Sequence, residues 1–196
     1  MKSSILPFLI LLLSLHVSAQ DTKYIDSLKS DLVKEQHDTS LSNTCNRIAE
    51  AYRYMDADKN REFALRGLSY ARSANFVRGQ GTSYNLIAQS YENKGLFAEA
   101  IVYYDSSLSV MRSISSRKNE ANILLNKSNV YQKTADYATA AELCMQSLKL
   151  QEELNKSTKE KTEGTENNSD SFFAERKFPT VQTNEKILSS QQLSEM

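Results

Sequence analysis

Residues 84–108 read YNLIAQSYENKGLFAEAIVYYDSSL. On either side of Gly95 the apolar and small positions recur every three or four residues: Tyr84, Ile87, Ala88, Tyr91, then Phe97, Ala100, Tyr104, Leu108. Spacing of that kind lays one stripe along an α-helix, and here it does so twice. Gly95 punctuates the two stripes, because glycine enters the left-handed backbone region without a Cβ penalty. Ala88 and Ala100 are small where two antiparallel helices must approach closely. The stretch predicts a helical hairpin.

The hairpin pattern recurs. Tyr52, Tyr91 and Tyr131 lie 39 and 40 residues apart. Around Tyr131 the series is Leu124, Ser128, Tyr131, Tyr137, Ala140, Cys144, Ser147, Leu148; around Tyr52 it is Cys45, Ile48, Ala49, Tyr52, Ala64, Gly67, Leu68. Three units in phase resemble the tetratricopeptide repeat (TPR) family, whose pattern runs large residue, Leu-Gly, Tyr, then Ala and Phe on a second helix. Residues 84–108 match it best. The third unit has Lys127 where the family prefers Leu. The first has Met55-Asp56-Ala57-Asp58 in place of a Gly-x-aromatic turn and is one residue shorter. The period also exceeds the family's usual length of about 34 residues.

The resemblance implies an all-α solenoid of three helical hairpins, at residues 39–74, 75–114 and 115–154. Ahead of them, residues 20–38 carry Tyr24, Ile25, Leu28, Leu32 and Val33 at helical spacing, which predicts a helix capping the N-terminal end of the array. Asp38, Thr39 and Ser40 offer side-chain oxygens to cap the helix that follows, and Asp56 or Asp58 starts the next one. The proline-free run from Phe8 to Phe178 suits helices.

The first 19 residues differ in character. Lys2, the apolar run Ile5–Leu15 and the small-x-small Val17-Ser18-Ala19 predict a secretory leader cut before Gln20. The chain is therefore expected to be exported, periplasmic or secreted, with membrane contact only through an uncleaved leader; the apolar run is short for a span of about 20 residues. Cys45 and Cys144 fall in units that are not neighbours, so both are expected as small buried hydrophobes rather than as a disulfide. From Asn155 to Ser171 there is no apolar side chain. Residues 155–196 are accordingly expected to form a disordered linker and tail, in which Phe172, Phe173 and Phe178 cluster and Asn184–Met196 has a weak helical period.

Little in the chain suits catalysis. The two histidines are His16, in the expected leader, and His37; the five glycines include no phosphate-loop fingerprint. No enzyme activity, metal or cofactor is expected. The balance of 24 basic and 24 acidic residues argues against a general nucleic-acid binder.

Binding suits it better. In the TPR family the first helix of each unit lines a concave face. The resemblance places Asn43, Asn46, Arg47, Glu50 and Arg53 there from unit one, and Thr82, Asn85, Leu86, Gln89 and Asn93 from unit two. From unit three it places Asn122, Leu125, Asn126, Asn129, Gln132 and Lys133. Carboxamides both donate and accept, so such a row suits an extended peptide backbone; it equally suits a merely solvated helix face. Glu50 and Leu86 stand where some family members keep a clamp for a C-terminal carboxylate, so that ligand is not carried over. Two functions fit. One is a non-catalytic exported scaffold that holds a peptide or protein partner. The other is a sensory region, truncated or standalone, since a leader, a helical lead-in and TPR units resemble the extracytoplasmic part of bacterial sensor kinases and cyclases.

Overall fold

Four turns set the geometry, and they are the same turn. Asn75, Gly95, Ser115 and Ala135 all have positive φ, at 52°, 74°, 53° and 61°. Each is flanked by the bonds of a Schellman motif, in which the residue after the left-handed one reaches back to a carbonyl in the last helical turn. The four closures are Phe76 N–H to Ala71, Leu96 to Tyr91, Ser116 to Met111 and Asp136 to Tyr131.

These turns separate a succession of helices in a computed structural model that describes residues 22–175, with side chains to 159. A helix over residues 22–34 (α1) is followed by α2 (Asp38–Tyr52), α3 (Ala57–Ser73), α4 (Val77–Asn93), α5 (Phe97–Ser113), α6 (Arg117–Lys133) and α7 (Tyr137–Glu175). The turn between α2 and α3 departs from the others. It has no left-handed residue. Instead the Asp56 carboxylate accepts from the Asp58 and Lys59 amides and starts α3. The one-residue-shorter first unit is thereby accommodated.

From α2 to α6 consecutive helices pack against one another, and α2 also lies against α4, and α4 against α6. That second set of contacts makes a solenoid with the first helix of each hairpin on one face. The core between hairpins is built from the expected small and aromatic positions. Ala88, Ala100 and Tyr104 are fully buried, and they share a cluster with Leu108, Met111, Ile123, Leu124 and Val130. The Tyr91 and Tyr103 rings stack at 5.3 Å between α4 and α5. Burying aromatic rings of this size supplies much of the non-directional stabilisation of a domain. At the N-terminal end Ile25 and Leu28 of α1 are buried with Ile48, Ala49 and Tyr52, and Lys29 Nζ donates to the Tyr52 hydroxyl at 3.0 Å. This is the expected capping helix.

Several expectations are corrected. The residue preceding α2 is His37, without a side-chain cap, so Asp38, Thr39 and Ser40 lie inside the helix. Cys45 is buried, but Cys144 is only half-buried, with Sγ 3.2 Å from Ser128 Oγ. Leu148 of α7 is exposed. Residues 155–175 are helical where a disordered linker was expected to begin. An absence of apolar positions removes packing, not helicity: extending an existing helix avoids the cost of a nucleus. A structural division falls after Leu154, at the end expected for the repeats. The expected leader (residues 1–19), its cut before Gln20, and the tail from residue 176, with Phe178 and Asn184–Met196, lie outside the described residues.

Candidate functional site

The face shared by α2, α4 and α6 carries a cavity of about 260 Å³ near the C-terminal ends of the three helices. From α2 and its turn come Arg53 and Tyr54; from α4, Gln89, Glu92 and Asn93; from α6, Asn129, Gln132 and Lys133. All three helices reach it because each hairpin turns at the same depth, so their last turns lie side by side.

Its charges are tied to one another. Glu92 is almost enclosed: Oε2 accepts from the Tyr104 hydroxyl at 2.6 Å and Oε1 from Lys133 Nζ at 2.7 Å. Burial, and the bond to Glu92, push the Tyr104 phenol far above its ordinary range, so it remains a donor. Arg53 donates to Glu50 at 3.1 Å and lies 4.9 Å from the Tyr54 ring centroid. Asn93 Nδ2 bonds the Arg53 carbonyl oxygen across 40 residues of chain, fastening α4 to the end of α2.

Gln89 stands apart. It is 3% exposed, lines the cavity, and its Oε1 has no hydrogen-bond partner among the described residues. An unpaired buried carbonyl of this kind costs roughly 1–3 kcal/mol.

The expected groove residues divide into three sets. Arg53, Gln89, Asn93, Asn129, Gln132 and Lys133 gather at the cavity. Asn85 and Asn126 pair nearby, Asn126 Nδ2 donating to Asn85 Oδ1 at 3.2 Å. The rest serve elsewhere or stand open. Asn46 is buried, accepting from Ser83 Oγ at 2.8 Å and donating to the Gly79 carbonyl, so it joins α2 to α4 instead of facing a groove. Leu86 is core. Arg47 turns to the Tyr24 hydroxyl of α1, and Thr82 bonds the Arg78 carbonyl of its own helix. Asn43, Glu50, Asn122 and Leu125 are exposed. Tyr54 and Glu92 were missed, being the residues beyond Arg53 and Tyr91; the sequence signal available was only their proximity to the ends of the first helices.

No helix among the described residues is long and apolar enough to cross a membrane. No match was found among curated proteins. The tetratricopeptide repeat family model matches residues 79–153, which span α4, α5, α6 and the first half of α7. That family is an interaction module and generally non-catalytic. Repeated hairpins, alternate-helix packing and the matched segment agree, and residues 79–153 carry tetratricopeptide repeats.

Proposed function

We propose that the α2–α4–α6 face holds an extended segment of a protein partner, and that the protein is a scaffold exported across a membrane. The observation that carries the binding reading is Gln89, a buried carboxamide lining a cavity, with an oxygen that nothing among the described residues satisfies. An unpaired polar group is expensive to keep, and a bound segment would pair it. The flanking carboxamides of Asn129 and Gln132 offer further donors and acceptors at the open side. Export rests on Lys2, the apolar run and Val17-Ser18-Ala19.

Panning a phage-displayed library of random dodecapeptides against the purified chain tests the binding. Enriched peptides should bind the wild type and lose most of their affinity for an Asn129→Ala, Gln132→Ala double variant, whose substitutions lie at exposed positions. No enrichment, or enrichment indifferent to the double variant, overturns the reading. N-terminal sequencing of protein produced in its own host tests export: it should begin at Gln20, and a retained Met1 in the cytosol overturns that part.

A further inference from the structure

We propose that the outer face of α7 pairs with the same face of a second copy of the chain, the two helices running antiparallel about a two-fold axis near Met145. The pairing is independent of the groove on the α2–α4–α6 face.

The repeat itself marks the face. In the second hairpin Tyr104, Leu108 and Met111 of α5 are buried in one cluster with Ile123 and Leu124 of α6, so the next hairpin closes them off. Forty residues on, the same places on α7 are Cys144, Leu148 and Gln151. There Cys144 is half-buried and Leu148 is 55% exposed. Asp105 accepts a bond from Lys127 of the next hairpin, whereas its counterpart is Met145, apolar and 64% exposed. Tyr137, Ala141, Cys144 and Leu148 follow one another by four, three and four residues. They form one stripe about 17 Å long on α7. Ala140, Leu143, Ser147 and Leu150 lie on a different side, the one turned to the core.

Two observations name a second copy as the occupant. The first is that the other end of the array is finished differently. There α1 exposes Lys23, Ser27, Ser30 and Lys34 at the same four-three-four spacing. Head-to-tail stacking, which leads to open filaments, would press the apolar stripe of one copy on these lysines and serines. The stripe finds its match on the α7 of a second copy, and such a contact is isologous and closes as a dimer. The second observation is charge. Glu142 and Lys149 are exposed beside Met145 along one border of the stripe, seven residues apart. About a two-fold axis near Met145, Glu142 of each copy stands opposite Lys149 of the other, and Leu148 stands opposite Cys144. A parallel pairing would instead set Glu142 level with Glu142 and Lys149 level with Lys149, a like-charge juxtaposition. Three helical turns make a small contact, so the dimer is a weak one.

Sedimentation equilibrium of the purified chain across roughly 1–200 µM, the range suited to a small interface, tests the pairing. The fitted mass should rise with concentration toward that of two chains. Leu148→Glu, at an exposed position, should keep the helical circular dichroism of the wild type and weaken the dimer by about tenfold or more. Glu142→Lys should also weaken it, and Glu142→Lys combined with Lys149→Glu should restore it. A mass of one chain at every concentration overturns the proposal and leaves the face to a different protein or to the chain's own residues 176–196. A dimer that Leu148→Glu does not weaken lies on another surface, and assemblies that keep growing beyond two chains are head-to-tail stacks; both overturn it. A dimer lost with Leu148→Glu but not restored by the paired charge reversal overturns the antiparallel arrangement.

Discussion

Ser107 on α5 donates its hydroxyl to the backbone carbonyl oxygen of Gly81 on α4 at 2.7 Å. Forty residues on, Ser147 of α7 makes the same bond to the carbonyl of Ala121 on α6, at 2.8 Å. Both serines are buried. A small hydroxyl lets two helices close together and gives the approaching backbone oxygen a second donor, so each hairpin is pinned at the same level. That shared level keeps the ends of α4 and α6 in step at the cavity.

Ser107→Ala should therefore lower stability by about 1 kcal/mol, the ordinary net value of one hydrogen bond. Ser107→Val, which adds volume where the helices touch, should cost more, about 1–3 kcal/mol. Ser147→Ala should resemble Ser107→Ala, and the two alanine changes should add, since they share no partner. Urea unfolding followed by circular dichroism measures all four variants. A valine variant as stable as the alanine one would show that the approach has slack.

The turn residues give a second comparison. Gly95 and Ala135 hold the same left-handed backbone, at φ 74° and 61°. Left-handed backbone costs a residue with a Cβ about 1–2 kcal/mol, partly offset by glycine's greater freedom when unfolded. Ala135→Gly should raise stability by about 0.5–1 kcal/mol, and Gly95→Ala should lower it by a similar amount. Apart from the adjoining residues, no heavy atom lies within 4 Å of where a Cβ would stand at Gly95, so the effect there is conformational. Thermal melting of the two variants checks the opposite signs.

Tyr104 predicts how stability depends on alkaline pH. Burial first, and the bond to Glu92 second, raise its folded pKa well above the ordinary value near 10. Above pH 10 the unfolded chain loses this proton while the folded chain keeps it. The unfolded state then binds fewer protons, and stability falls as pH rises. The contribution is complete below pH 10 and is lost progressively above it. Tyr104→Phe should be less stable at pH 7, because Glu92 loses a donor, yet should lose less further stability between pH 9 and 11. Urea midpoints across that range test the difference in slope, and parallel slopes would assign the alkaline loss to other groups.

The three-hairpin fold was legible because a period of about 40 residues repeats large and small residues at the helix contacts, and packing obeys those volumes. The turns were only partly legible. Gly95 announces a left-handed residue, but Asn75, Ser115 and Ala135 do so weakly or not at all, since nothing in an alanine or serine favours positive φ. Which helices line the cavity was legible. Asn46 was misplaced because polarity alone does not separate a carboxamide facing solvent from one spanning two packed helices. Glu92 was missed because what draws it in, Tyr104 from one side and Lys133 from 41 residues along the chain, is tertiary. The helix beyond Asn155 was missed because the argument from apolar content speaks to packing, whereas adding residues to a helix already formed by the packed first half of α7 needs no new nucleus.

The last prediction concerns the place in the first hairpin that corresponds to Ser107, which is Gly67. A Cβ added there would fall 2.5 Å from Asn46 Oδ1 and 3.3 Å from the Ser42 carbonyl oxygen. Two effects oppose each other in Gly67→Ala. Replacing a mid-helix glycine gains about 1 kcal/mol of helix propensity. Against it, Asn46 must give way, and it is not free to swing: it is buried, accepting from Ser83 Oγ and donating to the Gly79 carbonyl. Displacing it breaks a bond worth about 1 kcal/mol and adds an overpacking cost of about 1–3 kcal/mol. The loss wins, and Gly67→Ala should destabilise the protein by about 1–3 kcal/mol. Asn46→Ala alone should also destabilise, because Ser83 loses its acceptor. On the Asn46→Ala background, however, the added methyl finds space, so Gly67→Ala there should be neutral or stabilising. A double-mutant cycle by urea unfolding reads this sign reversal as a coupling of more than about 1 kcal/mol. If Gly67→Ala stabilises the wild type as well, the two helices do not meet as closely as 2.5 Å implies, and Asn46 is free to turn toward the groove after all.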